Sequence, residues 1–127
     1  MKLSIIVPVY NMAAGGKLDY CLESLLHQTV TDYEVIAVND ASTDNSWEIL
    51  EQYQARYPER LVIDSLEKNC RQGGAKNKGL TLCKGEYIGF VDSDDWVTKD
   101  CFEKLLAKAE NTGADVVACD FCYVYEH

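Results

Sequence analysis

Four times along this chain a short run of β-branched and aliphatic residues gives way to an amphipathic segment, and that alternation restricts the fold more than any other feature. The run Leu3-Ser4-Ile5-Ile6-Val7 is almost continuously apolar, as a strand buried on both faces must be. Leu18, Cys21, Leu22, Leu25 and Leu26 then recur at helical spacing on one stripe. Residues 34–39 (EVIAVN) form a second strand pattern. Asp44 is placed to cap a second helix, with Ile49, Leu50, Tyr53 and Tyr57 inward and Pro58 as its stop. Residues 61–63 (LVI) give a third strand, 74–83 a short helix closed by Gly85, and 87–91 (YIGFV) a fourth strand. Thr98 then caps a helix that carries Phe102, Leu105, Leu106 and Ala109 and ends at Gly113. A last strand, 115–119, would be prolonged by 121–125. The pattern predicts an α/β fold, a Rossmann-like, mostly parallel sheet with helices on both faces.

Composition narrows the partners. With 127 residues the chain makes one domain, large enough for a real core. Its 21 acidic and 12 basic residues leave a net charge of −9, which denies it the basic footprint that nucleic acid or an anionic membrane surface requires. An anionic ligand would need something other than net charge to neutralise it. No apolar stretch approaches the roughly 20 residues of a membrane span. The first apolar run is too short for a secretion signal and is broken by Pro8. The six cysteines are scattered through apolar periodic segments, so they read as core residues of a reduced, cytoplasmic protein. Cys119 and Cys122 form a C-x-x-C without a second pair, for which packing is favoured over zinc.

In a parallel sheet ligands bind beyond the carboxyl ends of the strands, and polar residues crowd those ends here. The first strand runs out through Pro8-Val9-Tyr10-Asn11, the second through Asn39-Asp40-Ala41-Ser42-Thr43-Asp44, the third towards Asn69-Cys70-Arg71, the fourth through Asp92-Ser93-Asp94-Asp95. The amino-terminal ends show nothing comparable. Three carboxylates within four residues repel one another unless solvated or bound to a cation, and oxygen ligands of this kind suit Mg²⁺ or Mn²⁺. The same cluster also describes a solvated acidic turn ahead of the Thr98 helix. Tyr10 reads either as a stacking surface for a planar base or as a cap on the core edge. Asp40 could accept a hydrogen bond from a ring N–H or be an ordinary turn aspartate. Lys76 lies in a Gly-rich helix entry that lacks P-loop spacing, and is either directed at a phosphate or merely a surface lysine. His27 reads as structural.

Taken together, the segments SIIVPVYN, residues 24–29 (SLLHQT), VNDASTDNS, NCRQGGAKNKGL and KGEYIGFVDSDDW resemble, in order, the donor-binding part of a glycosyltransferase family 2 enzyme of GT-A fold. The resemblance implies nucleotide-binding roles for Pro8, Tyr10, Asp40, Lys76, Asp92 and Ser93, with Tyr10 and Asp40 on the base, usually uracil. It implies that Asp94 binds the divalent metal, Mn²⁺ or Mg²⁺, and that a sugar passes with inversion from a nucleotide-sugar, a UDP-sugar, to a saccharide or lipid-linked acceptor. The chain departs from the family pattern at Ala41 and Arg71, where glycine is usual, and at Lys76, where arginine is common. Inversion also needs a general base, which the family carries beyond the part represented here. Residues 1–127 therefore read as a donor-binding part, truncated before the acceptor-binding part, able to hold donor and metal but not to turn over.

Two other classes share parts of this pattern. A phosphoacceptor receiver domain would need an acidic pair after the first strand and an Asp after the third, where Val9-Tyr10-Asn11 and Lys68-Asn69 stand. A sugar-1-phosphate nucleotidyltransferase would need a basic Gly-rich loop after the first strand, and Gly15-Gly16-Lys17 comes late. A non-catalytic nucleotide-binding module stays open.

Overall fold

A computed structural model describes residues 1–69, 71–113, 116–118 and 122–126. Cys70 and Cys119, the latter half of the C-x-x-C pair, lie outside them, as do the ends of the expected 115–119 strand. The strands are β1 (Leu3–Val9), β2 (Tyr33–Asn39), β3 (Leu61–Ser65), β4 (Tyr87–Val91), β5 (Val116–Ala118) and β6 (Cys122–Glu126). The helices are α1 (Lys17–Leu26), α2 (Ser46–Arg56), α3 (Arg71–Leu82) and α4 (Cys101–Thr112).

The strands join one sheet in the order β3-β2-β1-β4-β6-β5. β1 to β4 run parallel, from Leu3↔Tyr33 to Val9↔Asn39 between β1 and β2. Every residue of β1 and β2 is buried, which is why their sequences are runs rather than alternations. The chain moves outward from β1 to β3, then returns to place β4 on the other side of β1. The strand order thus reverses between β1 and β4, where an open sheet leaves a crevice. A receiver domain has the flavodoxin-like order 2-1-3-4-5 and is excluded by this topology. Pro8 cannot donate to a ladder, and it sits past the last β1–β4 pair, Ile6↔Phe90.

Alternate β1 side chains serve two cores. Leu3, Ile5, Val7 and Val9 join Leu22, Leu25, Leu50, Phe102 and Leu106 beneath α1, α2 and α4. Ile6 joins Ile36, Val38, Ala75, Ile88 and Phe90 beneath α3. Helices cover both faces, as the alternation requires.

Three local expectations are corrected. The last strand is not prolonged: β5 and β6 pair antiparallel, and β6 runs antiparallel to β4. Apolar runs specify a strand but not its direction. The third helix begins at Arg71 rather than Gly74, because burial of Ala75 against the sheet outweighs the glycines' entropic penalty. Thr98 does not cap α4. Asp100 precedes that helix, while the Thr98 carbonyl accepts from Cys101 N–H in the turn before it. Gly113 does end α4, in the left-handed conformation.

The amino-terminal rim is also less bare than its sequence suggests. Glu34 is 4% exposed, and its carboxylate accepts from the Ser4 hydroxyl at 2.6 Å and from Lys84 N–H at 2.9 Å. Gly85 does not close α3. A Cβ there would meet the Ser4 backbone nitrogen at 2.5 Å, so only glycine lets this turn lie flat on β1. The rim is sealed by its own hydrogen bonds.

Candidate functional site

At the opposite rim, a cavity of about 490 Å³ opens where the strand order reverses. Its walls bring together Pro8 and Tyr10 after β1, Asp40 after β2, and Asp92, Ser93 and Asp94 after β4. Those are six of the seven residues singled out in the sequence. Lys76 is not among the lining residues; its ammonium lies 5.6 Å from the centre of the Phe90 ring. Val9, Met12 and Asn69 also line the cavity. Nothing in their residue types distinguished them from their loop neighbours. No lysine or arginine is among the described residues lining it.

On the β1–β2 side two loops are laced together. Asp40 N–H donates to the Val9 carbonyl at 2.8 Å, prolonging the ladder by one residue. The next amides of the β1 loop then donate to side chains of the β2 loop. Asn11 N–H reaches Ser42 Oγ at 3.0 Å, Met12 N–H reaches Ser46 Oγ at 2.9 Å, and Ala13 N–H reaches Asp44 Oδ2 at 3.2 Å. In return Asn11 Oδ1 accepts from Thr43 N–H at 2.8 Å and Asp44 N–H at 3.4 Å. Asp44 Oδ1 also accepts from Ser46 N–H at 2.9 Å, so it does serve the start of α2 although Asn45 is the boundary residue. Tyr10 is 46% exposed and therefore offers its ring to the cavity mouth instead of sealing the core. Asp40 is 2% exposed, and its carbonyl accepts from Asn69 Nδ2 at 3.4 Å.

The β4 side is built differently. Carboxylate oxygens of Asp92, Asp94 and Asp95 lie within 4.8 Å of one another, in a turn closed by Asp95 N–H donating to the Asp92 carbonyl at 3.0 Å. Burial, then repulsion from Asp94 and Asp92, raises the Asp95 carboxyl above its ordinary range. Asp95 was legible only as part of the acidic run; the turn is what makes it the third member. Below, the Cys21 thiol donates to the Asp92 carbonyl at 3.6 Å. Burial and then the three carboxylates push that thiol up to about 12, so it stays protonated. A divalent cation fits this donor set. All the candidate ligands are hard oxygens, and a cation would relieve the repulsion that lifts Asp95.

α1 holds the loop that follows. Ser24 Oγ accepts from Val97 N–H at 3.3 Å. Gln28, 9% exposed, donates through Nε2 to the carbonyls of Ser24 and Thr98, each at 2.8 Å. Its Oε1 accepts from Phe102 N–H at 3.1 Å. The 24–29 motif thus holds the 97–102 segment that follows the acidic turn, and His27 is exposed.

A family model described as Glycosyl transferase family 2 matches residues 4–126. An uncharacterized glycosyltransferase of Escherichia coli (strain K12), YibD, is 40% identical over 124 residues, 96% of this chain and 35% of its own length. Poly(ribitol-phosphate) beta-glucosyltransferase of Bacillus spizizenii is 38% identical over 118 residues, 91% of this chain and 18% of its own. Among solved structures, S. aureus TarS 1-349 has a TM-score of 0.81 at 35% identity, covering 91% of this chain and 34% of that one. TarS 1-349 is also known in complex with UDP and with UDP-GlcNAc. Mannosyltransferase PcManGT of Pyrobaculum calidifontis, in complex with GDP-Man and Mn²⁺, has a TM-score of 0.89 at 19% identity, covers 98% of this chain and 44% of that one, and shares the fold. This chain spans 35% and 18% of the length of these two curated relatives.

Proposed function

This chain belongs to glycosyl transferase family 2, with the GT-A fold, and on that premise we propose that residues 1–127 form the donor-binding part of an enzyme that moves a sugar from a UDP-sugar to a saccharide or lipid-linked acceptor. One observation carries the reading. A single cavity at the reversal of strand order has an exposed tyrosine and a buried aspartate on one wall and Asp92 and Asp94 on the other, with the Asp95 carboxylate clustered beside them.

Each wall suits one end of a nucleoside diphosphate. The Tyr10 ring stacks on the base, and the Asp40 carboxylate, fixed by burial, accepts from its ring N–H. Pro8 shapes the floor beneath the base. Asp92 and Ser93 approach the ribose. Asp94, with Asp92 and Asp95 beside it, would hold Mn²⁺ or Mg²⁺. When bound, that cation supplies the positive charge that the diphosphate needs and the lining residues lack. Lys76, which stands over Phe90, would have to swing from the ring to meet the ligand. TarS, at 35% identity, has been solved with UDP and UDP-GlcNAc, which supports a uridine donor here.

In the transfer an acceptor hydroxyl attacks the anomeric carbon, the bond from that carbon to the diphosphate oxygen breaks, and inversion results. The hydroxyl proton passes to a general base that we assign outside residues 1–127, together with the acceptor site. The chain therefore binds donor and metal without turning over. We place it in the cytoplasm, where UDP-sugars are made; no described helix is long and apolar enough to cross a membrane.

The test is a thermal-shift titration with UDP, GDP and phosphate, each with and without Mn²⁺. Ligand at a hundred times its Kd adds about 2.7 kcal/mol, a shift of several degrees for a domain this size. UDP is expected to stabilise only with Mn²⁺. Stabilisation by Mn²⁺ alone, with no nucleotide adding to it, would leave a cation site without a donor site.

A further inference from the structure

Asn11 and Ala41 are the two non-glycine residues with positive φ among the described residues, at 50° and 54°. Each immediately follows a residue assigned above to the base, Tyr10 or Asp40. A left-handed backbone persists at such residues only where the surroundings over-determine it. Here the surroundings are the two-way lacing of the loops. The β1 loop gives three consecutive amides to Ser42, Ser46 and Asp44, and the β2 loop returns two amides to one atom, Asn11 Oδ1. The Thr43 hydroxyl also donates to that oxygen, at 3.3 Å. Asn11 is thus the residue at which the left-handed turn and the return hydrogen bonds coincide.

We propose that Asn11 is a positioning residue for base recognition: it holds Tyr10 in register with Asp40, and so sets selectivity among nucleotides without touching the base. The inference rests on the donor-site reading, in which Tyr10 and Asp40 take the base. The backbone of Tyr10 is fixed on one side by the β1 ladder and on the other by the left-handed turn at Asn11. Asp40 itself stays tied to the Val9 carbonyl through its own N–H, but without the Oδ1 contacts the turn at 42–44 keeps, of these loop-to-loop bonds, those from the Asn11 and Ala13 amides to Ser42 and Asp44. The stacking ring and the buried carboxylate can then drift apart.

The chemistry separates three substitutions. The amides of Thr43 and Asp44 can only donate, so what Asn11 supplies to them is an acceptor. Asn11→Asp keeps that acceptor and tolerates the left-handed turn. Asn11→Gly keeps the turn and loses the acceptor. Asn11→Leu loses both.

The experiment measures, on this chain in Mn²⁺, the Kd of UDP, of GDP and of pyrophosphate, which has no base. Asn11→Gly is expected to weaken UDP about tenfold, the worth of one to two lost hydrogen bonds, and to shrink the UDP-over-GDP preference. Pyrophosphate should bind it as it binds wild type. Asn11→Asp should keep UDP within about threefold of wild type. Asn11→Gly that retains the wild-type UDP-to-GDP ratio overturns the inference, as does equal weakening of UDP and pyrophosphate, which marks a merely structural residue. Wild-type chain that binds pyrophosphate but does not prefer UDP overturns the base-site reading itself, and the role of Asn11 with it.

Discussion

The two walls of the cavity differ in what satisfies their polar groups. On the β1–β2 wall the chain answers itself: Asn11, Ser42, Asp44 and Ser46 close a set of hydrogen bonds between loops more than 30 residues apart. On the β4 wall Asp92, Asp94 and Asp95 face one another, and no ion pair among the described residues includes them. Their carboxyls record the contrast. Partial burial tends to raise Asp44, but hydrogen bonds from Ser46 and Ala13 outweigh it and hold the carboxyl below its ordinary range. Asp95 is raised by burial and by its neighbours. One wall is satisfied by folding; on the other, the proposed function assigns the remaining neutralisation to a cation. On the function proposed here, base recognition would be preorganised, whereas diphosphate recognition would be conditional on metal.

The contrast breaks most visibly at Asp94. Asp94→Ala should cost at least about a hundredfold in UDP affinity with Mn²⁺ present. The metal-free melting midpoint should hold or rise, since a repelling carboxylate is gone. Calorimetric titration reads the first and thermal unfolding the second; undiminished UDP affinity in Mn²⁺ sinks the metal assignment. Tyr10→Ala strikes the finished wall and should weaken UDP by roughly 1–3 kcal/mol while leaving Mn²⁺ binding alone. Loss of Mn²⁺ affinity in that variant would show that the walls are not independent.

A smaller effect is expected at Ala41, whose φ of 54° suits glycine. Ala41→Gly should relieve the left-handed turn and stabilise the chain by up to about 1 kcal/mol in urea unfolding, without altering UDP affinity. A destabilised variant would mean that the strain is not there. Smallest is the pH dependence. Because Asp95 is raised in the folded chain, its contribution to stability is present below about pH 4 and is lost as pH rises through its folded value. Asp44 is lowered, so its contribution is present above about pH 4 and is lost on acidification. The midpoint gain from Mn²⁺ should accordingly grow between pH 4 and neutrality; a gain indifferent to pH would contradict the repulsion inferred at the acidic turn.

The first four strands and three of the helical stripes were legible because burial on both faces of β1 and β2 leaves no room for polar residues, and α1, α2 and α4 each bury one stripe. Pro8, Tyr10, Asp40, Asp92, Ser93 and Asp94 converge because each stands at a strand end that those runs already located. What escaped depends on rotation and partnership. α3 starts three residues early, at Arg71, and Lys76 stands over Phe90 instead of lining the cavity. The partners of Asn11 lie across a gap that no periodicity spans, although every one of them stood in the quoted VNDASTDNS segment. The burial of Glu34 at the start of β2 could not be read either, because the Ser4 hydroxyl that donates to it is distant in sequence.

Gly89 extends what is known of the acidic turn into a matter of inheritance. A Cβ at that position would come 2.6 Å from Cε1 of Phe102, the fully buried aromatic of α4. One methyl group there would force the buried Phe102 ring to shift, and with it strain the start of α4, where the Phe102 N–H donates to Gln28. Glycine at 89 and phenylalanine at 102 are thus matched in size: a side chain gained in the strand would be accommodated best by a smaller one on the helix.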